Sequence, residues 1–264
     1  MNILQQILES KKNEVLLLKR KYSFSSFKEM ELFNKDVIKI GGLYDNDNNI
    51  SIIAEIKKAS PTKGVIRQDF DHLQIANTYL NCGVDAISIL TDEKYFLGHI
   101  NYLEQIAQIK NIALLRKDFI VDELQIFESK AFGADYILLI ADVLSKSEIR
   151  DFTQSANAIG LEVLLEIHSA NEIEKIDFDL NKIIGINNRD LKSFIVDINT
   201  TINLKKLLPS DVIVISESGI GKQKDIEILK SDKVNGILVG EHLMKSENVE
   251  SELNKLKTWC ASES

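Results

Sequence analysis

The chain has 264 residues, 44% of them hydrophobic and 27% charged, an ordinary globular composition with enough length to bury a large core. A net charge of −8 argues against nucleic acid as the main partner, and no apolar run approaches the ~18–20 residues that span a bilayer. Cys82 and Cys260 are far apart and form no CxxC pair, so they read as reduced thiols of a cytoplasmic protein. The opening "MNILQQILESKKNEV" lacks the charged leader and apolar core of a secretory signal.

In chain order, Ile3, Leu4, Ile7, Leu8, Val15 and Leu18 mark one face of a helix running to about Arg20. Phe24, Phe27, Met30, Leu32 and Phe33 make a second apolar cluster, and "GGLYDNDNN" reads as a loop. Residues 1–50 are therefore expected to form a helical extension covering one end of the remaining domain, mainly for stability.

From residue 51 the pattern repeats. Runs rich in Ile, Val and Leu begin near Ser51, Asp85, Ile112, Asp135, Leu161, Ile183, Val212 and Asn235. Segments with helical spacing lie between them, such as "LQIANTYLNCG", "DELQIFESKAFG" and "KDIEILKSD". Gly83, Gly133 and Gly160 each stand between a helix and the next strand, where a left-handed C-terminal cap is expected. Strands alternating with helices imply a parallel sheet. Eight units predict a (β/α)8 TIM barrel over residues 51–264, with 1–50 as its N-terminal extension in the same domain. An open doubly wound sheet is the rival, and the absence of a dinucleotide fingerprint weighs against it.

Alternation assigns the strand faces. In the first run Ile52, Ala54 and Ile56 face the helices, while Ile53, Glu55 and Lys57 face the interior. Inward positions in later runs include Lys117, Glu166, Asn187, Arg189 and Glu217. Five strands thus start apolar and end polar toward the C-terminal mouth, where barrel active sites are built. Buried charges must pair with one another or serve a ligand. This set suits an acidic ligand, with acids and bases available for proton transfer.

"SESGIG" and "LVGEHLM" place Ser218-Gly219 and Gly240-Glu241 after the seventh and eighth strands, where barrels often hold a phosphate. Ser60, after the first strand, can add a hydroxyl. His72, His99, His168 and His242 are scattered without metal-ligand spacing and are expected on the surface or in loops. The chemistry implied is acid–base work on a phosphorylated small molecule, with no metal or organic cofactor.

"AEIKKASPTKG", "LTDEKYFLG", "LLRKDFIVDELQIFESKAFGADYILLI", "GLEVLLEIH", "IGINNRDLKSF", "ISESGI" and "LVGEHLM" together closely resemble the indole-3-glycerol-phosphate synthase family, from about residue 2 to 245. The resemblance includes the N-terminal extension, which the related phosphoribosylanthranilate isomerases lack. It implies cofactor-free closure, decarboxylation and dehydration of 1-(2-carboxyphenylamino)-1-deoxyribulose 5-phosphate, a carboxy-lyase step of tryptophan biosynthesis.

It further implies that Lys117 is the general acid and Glu166 the general base. Lys57 would bind the substrate carboxylate, with Glu55 holding the lysines. Asn187 and Arg189 would meet substrate hydroxyls and the intermediate, with Glu217 in support. Phe96, Phe119 and Leu191 would wall the anthranilate ring. Ser60, Ser218, Gly219, Gly240 and Glu241 would cradle the phosphate, the glycines and Glu241 through backbone N–H. A monomer is compatible with this reading. Departures are His99 where Ser is usual, which leaves the shape of the loop after the second strand open, Lys58 for Arg, and Glu241 where Ser is also common. An isomerase of sugar phosphates would have no use for Lys57 beside an apolar ring pocket. A non-catalytic barrel would have lost Lys57, Lys117 or Glu166.

Overall fold

Eight strands, every neighbouring pair parallel, close into a barrel in the computed structural model, which describes residues 3–43, 49–190 and 195–261. They are β1 (Ser51–Ile56), β2 (Ala86–Leu90), β3 (Ala113–Lys117), β4 (Tyr136–Ile140), β5 (Glu162–Ile167), β6 (Ile183–Asn187), β7 (Ile213–Glu217) and β8 (Gly236–Val239). Each pairs with its neighbours in sequence, and β8 returns to β1 with Ser51 opposite Gly236. The expected starts fall within one residue of all eight. These strands are apolar because a barrel strand is buried on both faces.

The helices in chain order are α1 (Ile3–Lys21), α2 (Phe24–Lys28), α3 (His72–Cys82), α4 (Glu93–Phe96), α5 (Ile100–Ala107), α6 (Glu123–Ala131), α7 (Lys146–Ala158), α8 (Asn199–Lys205), α9 (Gln223–Ser231), α10 (Glu241–Lys245) and α11 (Val249–Cys260). Their starts are locally encoded. Asp71, Asp122 and Ser145 cap α3, α6 and α7 with side-chain oxygens that accept N–H groups of the first turn. Gly83 closes α3 at φ 64°, as expected for a left-handed cap.

Between β5 and β6 only a three-ten turn forms, Ala170–Lys175. Asn171, Asp177, Asp179 and Asn181 crowd this connection, and such side chains favour turns over helix interior. After β1, Ala59–Ser60 pairs antiparallel with Gly64–Val65 as a small hairpin.

Alternation produces two apolar layers. Ile52, Ala54, Ile56, Val163, Leu165 and Ile167 pack outward against the helices. Ile53, Ala113, Leu115, Leu164, Ile183 and Ile215 fill the interior.

The extension does more than cover one end. Ile40 and Leu43 join the interior layer at the strands' N-terminal ends, where the Ile40 N–H donates to Tyr136 Oη at 3.1 Å. Asp135 Oδ1 accepts the Ile38 N–H at 2.8 Å beside it. Helix α1 reaches the opposite end. Its Lys11 ammonium lies 2.8 Å from Asp118, the residue after β3. The extension therefore plugs the base and braces the mouth.

Candidate active site

The mouth holds a chain of charges, each set by a strand end. Lys57 Nζ lies 2.5 Å from Glu55 Oε1, so Glu55 of β1 and Lys57 just past its end do share a face. Across the barrel, Lys117 Nζ lies 2.6 Å from Glu217 Oε2 and 3.1 Å from Glu166 Oε2. The register brings these ends level, with Asn187 opposite Glu217 and Ile140 opposite Glu166.

Burial and pairing set the proton affinities. Burial works against the Lys117 charge, but Glu166, Glu217 and Glu55 outweigh it and hold its pKa well above the usual lysine value. Burial would raise Glu166, yet the Lys117 ammonium and His168 draw it well below the usual carboxylate range. Glu217 goes the other way. Burial, helped by the Glu166 charge and opposed by Lys117, pushes it up to about 7.

Two glycines permit this packing. A Cβ on Gly240 would stand 2.2 Å from Glu55 Oε1, and one on Gly185 would stand 2.2 Å from Glu217 Oε1. Both carboxylates therefore rest on bare backbone. Gly240 was expected at a phosphate; the structure makes it the seat of Glu55.

His168 lies in the loop after β5, within what was expected, but it is not on the surface, for its side chain is only 8% exposed. Its Nε2 lies 3.1 Å from Glu166 Oε1 and its Nδ1 3.7 Å from Glu172 Oε2. Burial disfavours the imidazolium, but these two carboxylates raise its pKa to about 10. Glu166 thus has a cation at each oxygen, Lys117 on one and His168 on the other. The signal in the sequence was position: His168 directly follows β5, whose inward residue is Glu166.

The residues expected at a phosphate include the turns after β7 and β8. Ser218 and Gly219 both take left-handed backbone angles, φ 67° and 77°. Ser218 is strained there, and its turn is fastened from below. Asn188 Nδ2 donates to Ser218 O at 3.1 Å and to Ser216 Oγ at 3.0 Å, and Asn188 Oδ1 accepts from Thr201 Oγ1 at 2.8 Å. Asn188 and Thr201 were not singled out in the sequence, because both lie beneath the mouth. Ser60 Oγ is buried and makes no hydrogen bond to any described residue.

Glu241 brings a side chain as well as its N–H. Its carboxylate pairs with Lys63 from the hairpin, with Lys245 at 2.7 Å and with Arg189 at 3.2 Å. Burial opposes the charge, but Lys245 and Lys63 lower its pKa to about 2. Arg189 is thereby held against Glu241 after β8, and Asn187 Oδ1 accepts the Arg189 N–H at 3.0 Å.

Phe96 and Phe119 face each other with ring centroids 6.3 Å apart. Phe119 packs on the interior layer and Phe96 ends α4. Leu191, the third expected wall, lies outside the described residues. His99, the departure noted after β2, caps α5, its Nδ1 accepting the Asn101 N–H at 3.0 Å as a serine oxygen would. Lys58 lies over the Phe70 ring at 5.8 Å.

Comparison with known proteins gives the family of the chain. The family model described as "Indole-3-glycerol phosphate synthase" matches residues 4–256. The indole-3-glycerol phosphate synthase of Endomicrobium trichonymphae is 44% identical over 254 residues, covering 96% of this chain and 93% of that protein. That of Thermoanaerobacter pseudethanolicus is 47% identical over 250 residues, covering 92% of each. Among solved structures, 3-hexulose-6-phosphate synthase from Salmonella typhimurium superposes with a TM-score of 0.64 at 10% identity, covering 80% of this chain and 98% of that one. At that identity the likeness concerns the fold alone.

Proposed function

The chain belongs to the indole-3-glycerol phosphate synthase family, and from that premise we propose how its mouth turns over a small-molecule substrate. The substrate is 1-(2-carboxyphenylamino)-1-deoxyribulose 5-phosphate. Its ring carbon bearing the carboxylate attacks the ribulose carbonyl carbon. Loss of CO2 and then of water leaves indole-3-glycerol phosphate, a carboxy-lyase reaction in the cytoplasm. The observation that carries this reading is Lys117 held between Glu166 and Glu217 across the barrel from the Lys57–Glu55 pair.

Lys117 stabilises the developing alkoxide and delivers a proton to it. A buried ammonium is worth most where water is excluded and the dipoles are already in place. Its raised pKa suits an alkoxide, which is a strong base. Giving up that proton has a second effect. It removes the positive charge that holds Glu166 down. Glu166 therefore gains proton affinity just as dehydration calls for a base. Lys57, restrained by Glu55, takes the substrate carboxylate. Phe96 and Phe119 take the ring, with Leu191 as a further wall.

Ser60, Ser218, Gly219, Gly240 and the Glu241 N–H take the phosphate, with Arg189 close by. Asn187 orients the hydroxyls. The buried, unpartnered Ser60 hydroxyl and the strained Ser218-Gly219 turn support that end of the assignment.

The test mixes the purified chain with the carboxyphenylamino substrate and EDTA and follows indole fluorescence. A steady rise is expected. Lys117→Ala should lose nearly all turnover while binding inorganic phosphate as before. Wild-type turnover in that variant would overturn the assignment of the acid.

A further inference from the structure

Helix α1 carries one buried cation that the reaction scheme does not use. Lys11 lies between Ile7 and Val15 on the buried face of α1 and is only 2% exposed. Its Nζ is 2.8 Å from Asp118 Oδ1, 3.2 Å from Asp92 Oδ2 and 2.6 Å from Glu14 Oε2. Asp92 and Asp118 come from different strand ends, and each organises its own turn. Asp92 Oδ1 accepts the Tyr95 N–H at 2.8 Å and caps α4, whose last residue is Phe96. Asp118 Oδ1 accepts the Phe119 N–H at 2.8 Å. Its Oδ2 accepts from Thr91 Oγ1 at 2.6 Å and from Arg116 at 3.1 Å.

A single ammonium therefore joins the turn that presents Phe96 to the turn that presents Phe119. Stability alone gives little reason for it. Replacing the whole cluster of buried charges by apolar groups would spare the cost of desolvating them and is often neutral or stabilising, whereas removing Lys11 alone leaves Asp92 and Asp118 buried without their shared cation.

We propose that Lys11 is a positioning residue for the aromatic end of the substrate site, setting the spacing of Phe96 and Phe119 through Asp92 and Asp118 without touching substrate. The consequence for turnover rests on the assignment of those rings to the anthranilate. The positioning itself does not.

The experiment uses the full chain labelled with 4-fluorophenylalanine, whose 11 phenylalanines give 19F signals. Phe96→Leu, Phe119→Leu, Phe152→Leu and Phe178→Leu assign four of them. In Lys11→Met the Phe96 and Phe119 signals should shift or broaden, while those of Phe178 and Phe152, remote on the helical layer, stay in place. Asp92→Asn keeps the folded core and one cap oxygen, and it should move the Phe96 signal more than that of Phe119. Kinetics follow on the same samples. KM for the carboxyphenylamino substrate should rise about tenfold with kcat within about twofold, the pattern of lost uniform binding. The Kd for inorganic phosphate should hold.

Unmoved 19F signals in both variants would overturn the proposal. So would phosphate affinity falling in step with KM, which would mean a general distortion. Moved signals in a protein whose wild type does not turn over this substrate would uphold Lys11 and overturn the substrate assignment instead.

Discussion

At the scale of single residues, the site depends on contacts too close for any substitution to be neutral. Glu55 rests on Gly240, with no room for a methyl group between them. Gly240→Ala should therefore displace Glu55, loosen Lys57 and lower kcat/KM by roughly tenfold or more, in line with the cost of small misplacements of catalytic groups. A crystal structure of the variant would show whether Glu55 has moved. An unmoved Glu55 with normal kinetics would refute the seat. His168 yields a pH prediction with a definite sign. It is one of the cations that lower Glu166, so His168→Asn should raise the Glu166 pKa. The basic form of Glu166 is the one required for dehydration, so the acidic limb of the kcat/KM profile should move to higher pH. A purely structural His168 would lower the thermal midpoint and leave that limb in place.

At the scale of elements, the two ends of the barrel have different jobs. Ile40 and Leu43 fill the base, far from the charged mouth. Ile40→Ala should cost roughly 2–5 kcal/mol of stability, as large-to-small core changes do. Its kcat/KM at moderate temperature should stay within about twofold, since barrel catalysis is confined to the C-terminal face. Denaturant unfolding and initial rates on the same preparation decide it, and a collapse of both together would contradict the division. The strands were legible because period two is a strong signal once both layers are apolar. Glu55 and Lys57, and Lys117, Glu166 and Glu217, all read as inward from that alternation, do pair at the strand ends. The hairpin at Ala59–Val65 was not legible, because two-residue strands leave no periodic trace. Lys11 was hidden by the same logic in reverse. A lysine on an apolar helix face reads as a flaw in the stripe until its carboxylate partners, about a hundred residues away, are known.

At the scale of the whole molecule, these buried groups make folding stability depend on pH. Glu217 has its pKa raised to about 7 from 4.5, so the folded state binds its proton more tightly than the unfolded chain. Its contribution is full below the unfolded value and is lost as pH rises through the folded one. Glu217→Gln removes that loss. Relative to wild type, the variant should gain stability between about pH 4.5 and 7, by up to roughly 1.4 kcal/mol per pH unit. Paired urea titrations at the two ends of that window measure it, and a constant difference between the proteins would show that Glu217 does not titrate there. His168, raised to about 10, acts at the alkaline end. Its contribution persists below 6.5 and fades as pH climbs toward 10.

The local pattern of this chain was enough to determine eight strands, the helices after most of them, the inward faces and so the identities of Glu55, Lys57, Lys117, Glu166 and Glu217. Those features follow from side-chain periodicity and capping, which act over a few residues. Only the closed barrel decided which of these charges meet, because pairing depends on register between strands far apart in sequence. Tertiary structure alone buried His168 between Glu166 and Glu172, seated two glutamates on glycines, and carried Lys11 from the N-terminal helix to the rim. Each of these depends on a distance across the fold, and a burial that no local window of the sequence contains.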